Sequence, residues 1–249
     1  MCIITQLAKP DVEIADFVES IWMLHNRSDD GKEAVILPDG RVDLFLSKSA
    51  HEQFHISLQG LETKPTQVII DPQMLIFAIS FKPLGLEYIL ERSIAKYVDE
   101  SEILPPYFWD FTLNDLTDFD LFCVKASREV HKRLKQNTDE RKRKLFNLIY
   151  ASNGSMSVKE LSENVYWTSR QINRYFSAQF GLSLKAYCNI LRFRASFKHI
   201  KEGKLFPEQN FADQSHFIRE IKKLSGVAPK ELLHNKNDRF VQLSTLPPE

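Results

Sequence analysis

Two short stretches of the C-terminal half carry side chains of the kinds that read DNA bases. Arginine, asparagine and glutamine pair with base edges in the major groove. The first stretch, residues 168–187, contributes Arg170, Asn173 and Arg174, and the second, residues 213–232, contributes Gln214, Ser215, His216 and Arg219. A single arginine more often belongs to a solvated helix face, so residue type alone does not separate DNA contact from solvation.

The two stretches are copies of one unit. When residues 213–232 are laid on residues 168–187, Arg219 falls on Arg174 and Gly226 falls on Gly181. A solvated surface does not require such a duplication. The repeat therefore favours a binding unit that is used twice.

Each copy has the pattern of a short helix with one buried face. Thr168 and Asp213 are N-cap residues, whose side-chain oxygens accept from the N–H groups of a first helical turn. Apolar residues follow at positions i and i+4, and a glycine that can take the left-handed conformation ends each helix. The positions expected to form core rather than to bind are Ile172, Phe176, Phe217, Ile221 and Trp167.

The neighbouring elements position these copies. Ser157 is expected to start a helix in which Leu161 and Val165 share a face, and a turn at 166–167 leads into the first copy. This is the helix-turn-helix arrangement. Residues 184–201 predict a longer helix of about 27 Å. That length suits two copies separated by about 34 Å, one turn of DNA.

The charge of the chain is divided between its halves. The 249 residues are 43% apolar and 27% charged, and their formal net charge is zero. Residues 1–138 hold 14 Lys and Arg against 22 Asp and Glu, whereas residues 139–249 hold 19 against 11. The halves thus carry −8 and +8. A basic helical half suggests a polyanionic partner, while the acidic half is not expected to touch it.

Several other classes of protein are disfavoured. Cys2, Cys123 and Cys188 form no CxxC pair, so neither a disulfide framework nor a cysteine zinc site is expected. No apolar run approaches the length of a membrane span, and the first residues lack the pattern of a signal peptide. We therefore expect a cytoplasmic protein without a membrane partner.

The N-terminal half is expected to be rich in β-structure. After the turn at 37–40, apolar and polar residues alternate with strand periodicity, and residues 74–81 read as a buried strand. The fold class is therefore α+β, with a β-rich N-terminal domain with flanking helices followed by an all-α domain with two helix-turn-helix units. The remaining expected elements are a short helix or helix-to-strand start at 10–25, a strand at 67–70, helices at 85–91 and 113–134, and a charged linker at 135–144 that continues into a helix.

Few residues of the sequence suggest a catalytic site or a metal site. Residues 51–55 match HExxH, in which His51 and His55 on one helical face would bind zinc. A polar loop beside a strand is the preferred interpretation, because no third ligand is recognisable. Asp39 and Asp43 belong to a turn and to the outer face of a strand, and His216 fits a recognition helix better than a pH sensor. No nucleophile with a base and no phosphate loop is present in the sequence.

At residues 145–233 the chain resembles the AraC/XylS family of bacterial transcription regulators. The most specific string is NFADQSHFIREIKKLSGVAPKEL, which is close to the signature of the family's second half. The resemblance implies a seven-helix domain with two helix-turn-helix units that enter successive major grooves. By position, Arg170, Asn173 and Arg174 match the first recognition helix, and Gln214, Ser215, His216 and Arg219 match the second.

Some positions depart from the family pattern. Asn210 replaces a usual glycine, Leu184 stands where proline is common, and Pro207 interrupts a segment that is shorter than in the family. We therefore expect the first unit to supply most base reading. The second unit is expected to contact DNA either through phosphates only or through bases as well.

The N-terminal half is similar to a poorly characterised sensor-like domain, through LPDGRVDLFL and ISFKPLG. The resemblance implies an effector-binding or dimerising domain at 1–138, a DNA-binding domain at 139–236 and a tail at 237–249. The predicted function is a sequence-specific transcription regulator without enzymatic activity or cofactor. Its predicted partners are double-stranded DNA, a small-molecule effector and a second copy of the chain. The alternative is a small-molecule- or metal-dependent enzyme whose helical half is a tether or interaction module.

Overall fold

The computed structural model describes residues 3–206 and 211–244, and its residues fall into two units. The N-terminal unit comprises Met1–Lys32, Arg41–Leu61 and Ile69–Thr138, and the helical unit comprises Glu33–Gly40, Glu62–Val68 and Asp139–Glu249. The helical unit thus takes two short pieces from the N-terminal half of the sequence. The predicted end of the effector-binding or dimerising domain at residue 138 and that of the DNA-binding domain at residue 236 stay predictions.

A β-rich region precedes an all-helical region, as the sequence predicts. The strands are β1 Ile3–Ala8, β2 Val18–Asn26, β3 Lys32–Ile36, β4 Val42–Lys48, β5 His55–Gln59, β6 Thr66–Ile70, β7 Leu75–Phe81 and β8 Ser101–Ile103. The helices are α1 Pro83–Tyr88, α2 Phe119–Arg133, α3 Glu140–Ala151, α4 Val158–Val165, α5 Ser169–Phe180, α6 Leu184–Lys201, α7 Gln214–Ser225, α8 Pro229–His234 and α9 Val241–Ser244.

The N-terminal unit is built on a six-stranded sheet in the order β1-β2-β7-β4-β5-β8. β7 lies near its centre and pairs antiparallel with both β2 and β4. Phe77 of β7 packs against Phe122 of α2 with ring centroids 5.2 Å apart. Burial between neighbours and a covering helix explains why β7 reads as a continuous apolar run.

The first apolar segment differs from its expected helical spacing. A 3-10 helix covers only Val12–Ile14, and the chain continues as the long strand β2. Residues of both faces of β2 are buried, so its apolar positions do not alternate cleanly and imitate a helical pattern. The helix-to-strand alternative is therefore the correct one.

The strands β3 and β6 form a two-stranded ribbon, and most of their residues belong to the helical unit. The C-terminal residues add to its edge: Val35 forms a parallel bridge with Phe240, and Val35 N donates to Arg239 O at 2.6 Å. Leu37 N donates to Gln242 Oε1 at 2.8 Å. Phe240 is 1% exposed, so this end of the chain forms part of the core.

The ends of the ribbon segments contact the helices. Gly40 has a positive φ of 78°, and a Cβ there would lie 3.2 Å from Leu191 Cδ2, so the predicted turn at 37–40 packs closely on α6. Tyr187 OH donates to Gly40 O at 3.2 Å. A Cβ on Gly226 would lie 3.5 Å from Pro65 Cγ. These segments therefore support helices of the helical unit.

Within residues 3–206 and 211–244, no helix is both long and apolar enough to cross a membrane.

Candidate nucleic-acid interface

The helices α4 and α5 form the first helix-turn-helix unit, and reciprocal side-chain caps fix both N-termini. Glu160 N donates to Ser157 Oγ at 3.2 Å, while Ser157 N donates to the Glu160 carboxylate at 2.8 Å. These bonds lower the pKa of Glu160 below its ordinary value. At α5, Gln171 N donates to Thr168 Oγ1 at 3.2 Å, and Thr168 N donates to Gln171 Oε1 at 2.8 Å. Two capping boxes thus set where each helix begins.

The inner face of α5 is a packed aromatic core. Ile172, Phe176 and Phe180 are fully buried. Phe146 of α3 lies 5.6 Å from Phe176 and 5.9 Å from Phe180, measured between ring centroids. The expected core of this copy is confirmed at Ile172 and Phe176, whereas Trp167 is only half-buried. This packing fixes which face of α5 points away from the core.

That opposite face carries the predicted reading residues. Arg170 and Arg174 are both exposed, and their four-residue spacing places them one above the other on the helix. Asn173 is half-buried, and its Nδ2 donates to Ser169 O at 3.0 Å. Before the Asn173 amide group can donate to a base, it must give up its hydrogen bond to Ser169 O. The two arginines are therefore the better presented of the three.

The second copy, α7, repeats this construction. His216 N donates to Asp213 Oδ1 at 2.7 Å, so Asp213 is the N-cap that the sequence predicts. Phe217 and Ile221 are fully buried, as expected, and Gly226 ends the helix with a positive φ of 77°. The repeat is therefore a structural repeat of two capped helices.

The predicted contact residues of α7 differ in how they are held. Gln214 Nε2 donates to Leu205 O at 2.6 Å, and Ala212 N donates to His216 Nδ1 at 3.2 Å. Ser215 and Arg219 are exposed. Two of the four side chains are thus engaged by the chain that leads into the helix. Pro207 and Asn210, on which the expected difference between the units depends, lie outside the described residues.

Residues 135–144 were expected to form a charged linker, but residues 140–144 belong to α3. Their basic side chains stack on aromatic rings of the first helix-turn-helix unit. Arg141, Lys142 and Lys144 lie over the rings of Trp167, Tyr175 and Tyr166 at 5.1, 4.9 and 5.9 Å respectively. Arg141 also pairs with Asp139 at 2.8 Å, which lowers the pKa of that carboxyl group. The aromatic residues of the turn, Tyr166 and Trp167, and Tyr175 of α5 were the available sequence signal for these contacts.

Tyr166 stands out in the turn between α4 and α5. It is 87% exposed, and its φ of 55° places it in the left-handed region. This conformation costs a residue with a Cβ roughly 1–2 kcal/mol. Sequence reasoning assigned Tyr166 only to a turn, whereas the structure presents a large aromatic ring next to the start of α5.

Of the groups singled out for other chemistry, His55 and Asp43 have hydrogen-bond partners in neighbouring strands or loops. His51 lies in a bend and His55 begins β5, so the two histidines do not share a helical face. Asp43 accepts a hydrogen bond from Ser80 Oγ, and Trp22 Nε1 donates to the same Ser80 oxygen at 2.9 Å. In the described part of the chain, no group of three or more His, Cys, Asp or Glu side chains is arranged to hold a metal ion.

The described cysteines are held as thiols. Burial raises the pKa of Cys123 from 9.0 to about 11 and that of Cys188 from 9.0 to about 12. A thiolate is the reactive form of cysteine, so both groups are inert near neutral pH. Cys2 lies outside the described residues.

One family model matches the N-terminal part of the chain. Residues 6–102 match the model of a domain of unknown function, DUF6597. This confirms the resemblance of the N-terminal half to a poorly characterised domain, while its sensor role stays a prediction. No curated protein is significantly similar to the chain.

The solved structures that are similar to the chain include several of ToxT from Vibrio cholerae. An apo ToxT variant is 11% identical with a TM-score of 0.45, and the match covers 94% of this chain and 97% of that one. ToxT bound to (E)-4-(8-methylnaphthalen-1-yl)but-3-enoic acid is 16% identical with a TM-score of 0.45, covering 98% and 100%. ToxT bound to an unsaturated fatty acid is 14% identical with a TM-score of 0.41, covering 93% and 95%. Similarity this low decides neither the fold nor the ligand of this chain.

Proposed function

We propose that the protein is a sequence-specific DNA-binding transcription regulator of the AraC/XylS type, and that it is not an enzyme. The observation that carries the proposal is the exposed pair Arg170 and Arg174 on α5. This helix is fixed by a capping box and an aromatic core, and it is repeated as α7. Two pre-set helices that each present an arginine are suited to enter major grooves.

The two units divide the work in this proposal. Arg170, Asn173 and Arg174 read bases, because bidentate arginine pairing with guanine is the commonest specific contact in the major groove. Arg219 and Ser215 contact DNA from α7. Gln214 and His216 exchange their bonds to the neighbouring backbone when they bind.

Phosphate contacts supply the remaining affinity. Residues 139–249 carry a net charge of +8, and part of that charge lies in the first turn of α3. Neutralising phosphates releases counterions, so affinity falls steeply as salt rises. A complex whose affinity does not change with salt contradicts this part of the proposal.

Selection from a random duplex library with the full chain tests the function. The enriched sequences are expected to contain one preferred segment, which α5 reads. A second preferred segment about 10 base pairs away, one helical turn, is expected only if α7 reads bases as well. Arg27→Ala is the control for loss of charge, because the exposed positive charge that it removes lies in the N-terminal unit and not on the proposed DNA-binding helices. A library that shows no enrichment with either protein contradicts the proposed function.

The N-terminal unit is proposed to bind a small-molecule effector that controls DNA binding. The family resemblance supports this role. Adding candidate metabolites to the full chain and following its thermal unfolding tests the proposal, since a ligand that binds only the folded state raises the melting temperature. The enzyme alternative requires a bound metal or a turnover, and metal analysis of purified protein with His51→Ala and His55→Ala as controls distinguishes it.

A further inference from the structure

Ile218 occupies the position on α7 that Asn173 occupies on α5. The repeat that lays Arg219 on Arg174 also lays Ile218 on Asn173. Both helices begin at a side-chain N-cap, bury two equivalent apolar positions and end at a glycine with a positive φ. Ile218 therefore leaves α7 in the same direction, relative to its own helix, in which Asn173 leaves α5.

The chemistry of this position differs between the two copies. Asn173 has a polar amide group, which is bonded to Ser169 O, whereas the side chain of Ile218 has no polar atom. Ile218 is 40% exposed, so part of it packs on the helical unit and part of it faces outwards. A β-branched side chain in a helix is restricted to one strongly preferred torsion angle about its Cα–Cβ bond. The second copy thus presents a stiff apolar group where the first copy presents an amide.

The neighbours of Ile218 along α7 are polar. Gln214 and Ser215 precede it by four and three residues, and Lys222 follows it by four. These spacings place the three side chains next to Ile218 on the helix, and all three are exposed. A protein partner usually covers several adjoining apolar groups. One apolar group among polar and basic neighbours is better suited to the major groove, where the 5-methyl group of thymine adjoins polar base edges.

We propose that Ile218 packs against the 5-methyl group of a thymine in the major groove that α7 enters. Of the four bases of DNA, thymine is the one that presents a methyl group there, so this contact gives the second unit a preference for a thymine at one position. The inference rests on the proposed function and extends it. It makes the second unit a reader of bases as well as a contact to phosphates.

Replacement of thymine by deoxyuridine tests the contact. In the duplex that the full chain enriches from the random library, each thymine is replaced in turn, and the affinity is measured by fluorescence anisotropy at fixed salt. Deoxyuridine pairs with adenine as thymine does and lacks only the methyl group. At one position the replacement is expected to lower the affinity of the wild-type chain about fourfold, because burial of one methyl-sized group is worth about 0.8 kcal/mol.

Variants of α7 assign that effect to a residue. Ile218→Ala shortens the side chain and is expected to bind the thymine duplex and the deoxyuridine duplex equally at that position. Ile218→Val keeps a branched apolar side chain and is expected to retain most of the difference. Lys223→Ala is the matched control: it removes an exposed charge from the same helix and is expected to weaken binding to both duplexes equally. Circular dichroism verifies that each variant is folded.

Loss of the thymine preference in Ile218→Ala, but not in Lys223→Ala, supports the proposal. A wild-type chain that is indifferent to deoxyuridine at every thymine overturns it. A preference that persists unchanged in Ile218→Ala also overturns it, because another residue then contacts the methyl group. In both cases a chain that still enriches a DNA sequence retains the proposed function, whereas a chain that enriches no sequence loses the proposed function and this inference together.

Discussion

At the residue scale, a side chain's role follows from which of its atoms are already engaged. Arg170 and Arg174 are exposed on α5, whereas Asn173 is bonded to Ser169 of its own helix. The sequence identified all three by type and spacing. It could not show the bond at Asn173, because an asparagine at that spacing fits both a base contact and a bond to the preceding turn.

Cys188 gives a pH prediction at the same scale. Burial raises its pKa from 9.0 to about 12. Between these pH values the Cys188 thiol therefore ionises in the unfolded state but stays protonated in the folded state. The contribution of the buried thiol to the free energy of unfolding is complete below pH 9 and is lost as the pH rises towards 12. We expect the free energy of unfolding to fall across this range, as measured by denaturant titration. Cys188→Ala is expected to show a shallower fall, and equal slopes for both proteins would contradict the assignment.

At the element scale, local signals predicted much of the helical unit. Thr168 and Asp213 were identified as N-caps and Ser157 as the start of a helix, and each of the three caps its helix. These elements were predictable because capping, apolar spacing and a terminal glycine all indicate the same helix. The strands β1, β3, β5 and β8 were missed, since short strands draw their stability from pairing partners that are distant in sequence.

The capping box of α5 gives a prediction for this element. Thr168→Ala removes the hydroxyl that accepts from Gln171 N and is expected to lower the free energy of unfolding by about 1 kcal/mol. Thr168→Ser keeps the hydroxyl and is expected to change it little. The measurement is reversible denaturation of both variants. Equal losses for alanine and serine would show that the methyl group, and not the cap, stabilises this helix.

At the scale of the whole molecule, the helical unit is assembled from separated parts of the chain. Residues 33–40 and 62–68 cluster with it, and residues 239–242 bond to the edge of its ribbon. The sequence identified the turn at 37–40 but could not assign it to the helical unit. Such an assignment depends on long-range contacts, such as that between Tyr187 and Gly40, that no local pattern encodes.

The hydroxyl of Tyr187 tests this assembly. Tyr187→Phe removes the buried bond to Gly40 O and is expected to lower the free energy of unfolding by about 1 kcal/mol. Tyr150→Phe is the matched control: Tyr150 OH lies 3.2 Å from Tyr187 OH, and its loss leaves the Gly40 bond in place. We expect a smaller effect from the control in denaturant titrations. A larger loss in Tyr150→Phe would assign the stabilising bond to the tyrosine pair instead.

The most direct test of the proposed function is the specificity ratio of Arg174→Ala, measured by fluorescence anisotropy at fixed salt. This ratio compares affinity for a selected DNA site with affinity for unrelated duplex. If Arg174 reads a base, its removal costs about 1–3 kcal/mol at the selected site and lowers the ratio, with little change on unrelated DNA. Equal loss on both sequences would make Arg174 a phosphate contact. No loss on either would contradict the account of α5 as the recognition helix.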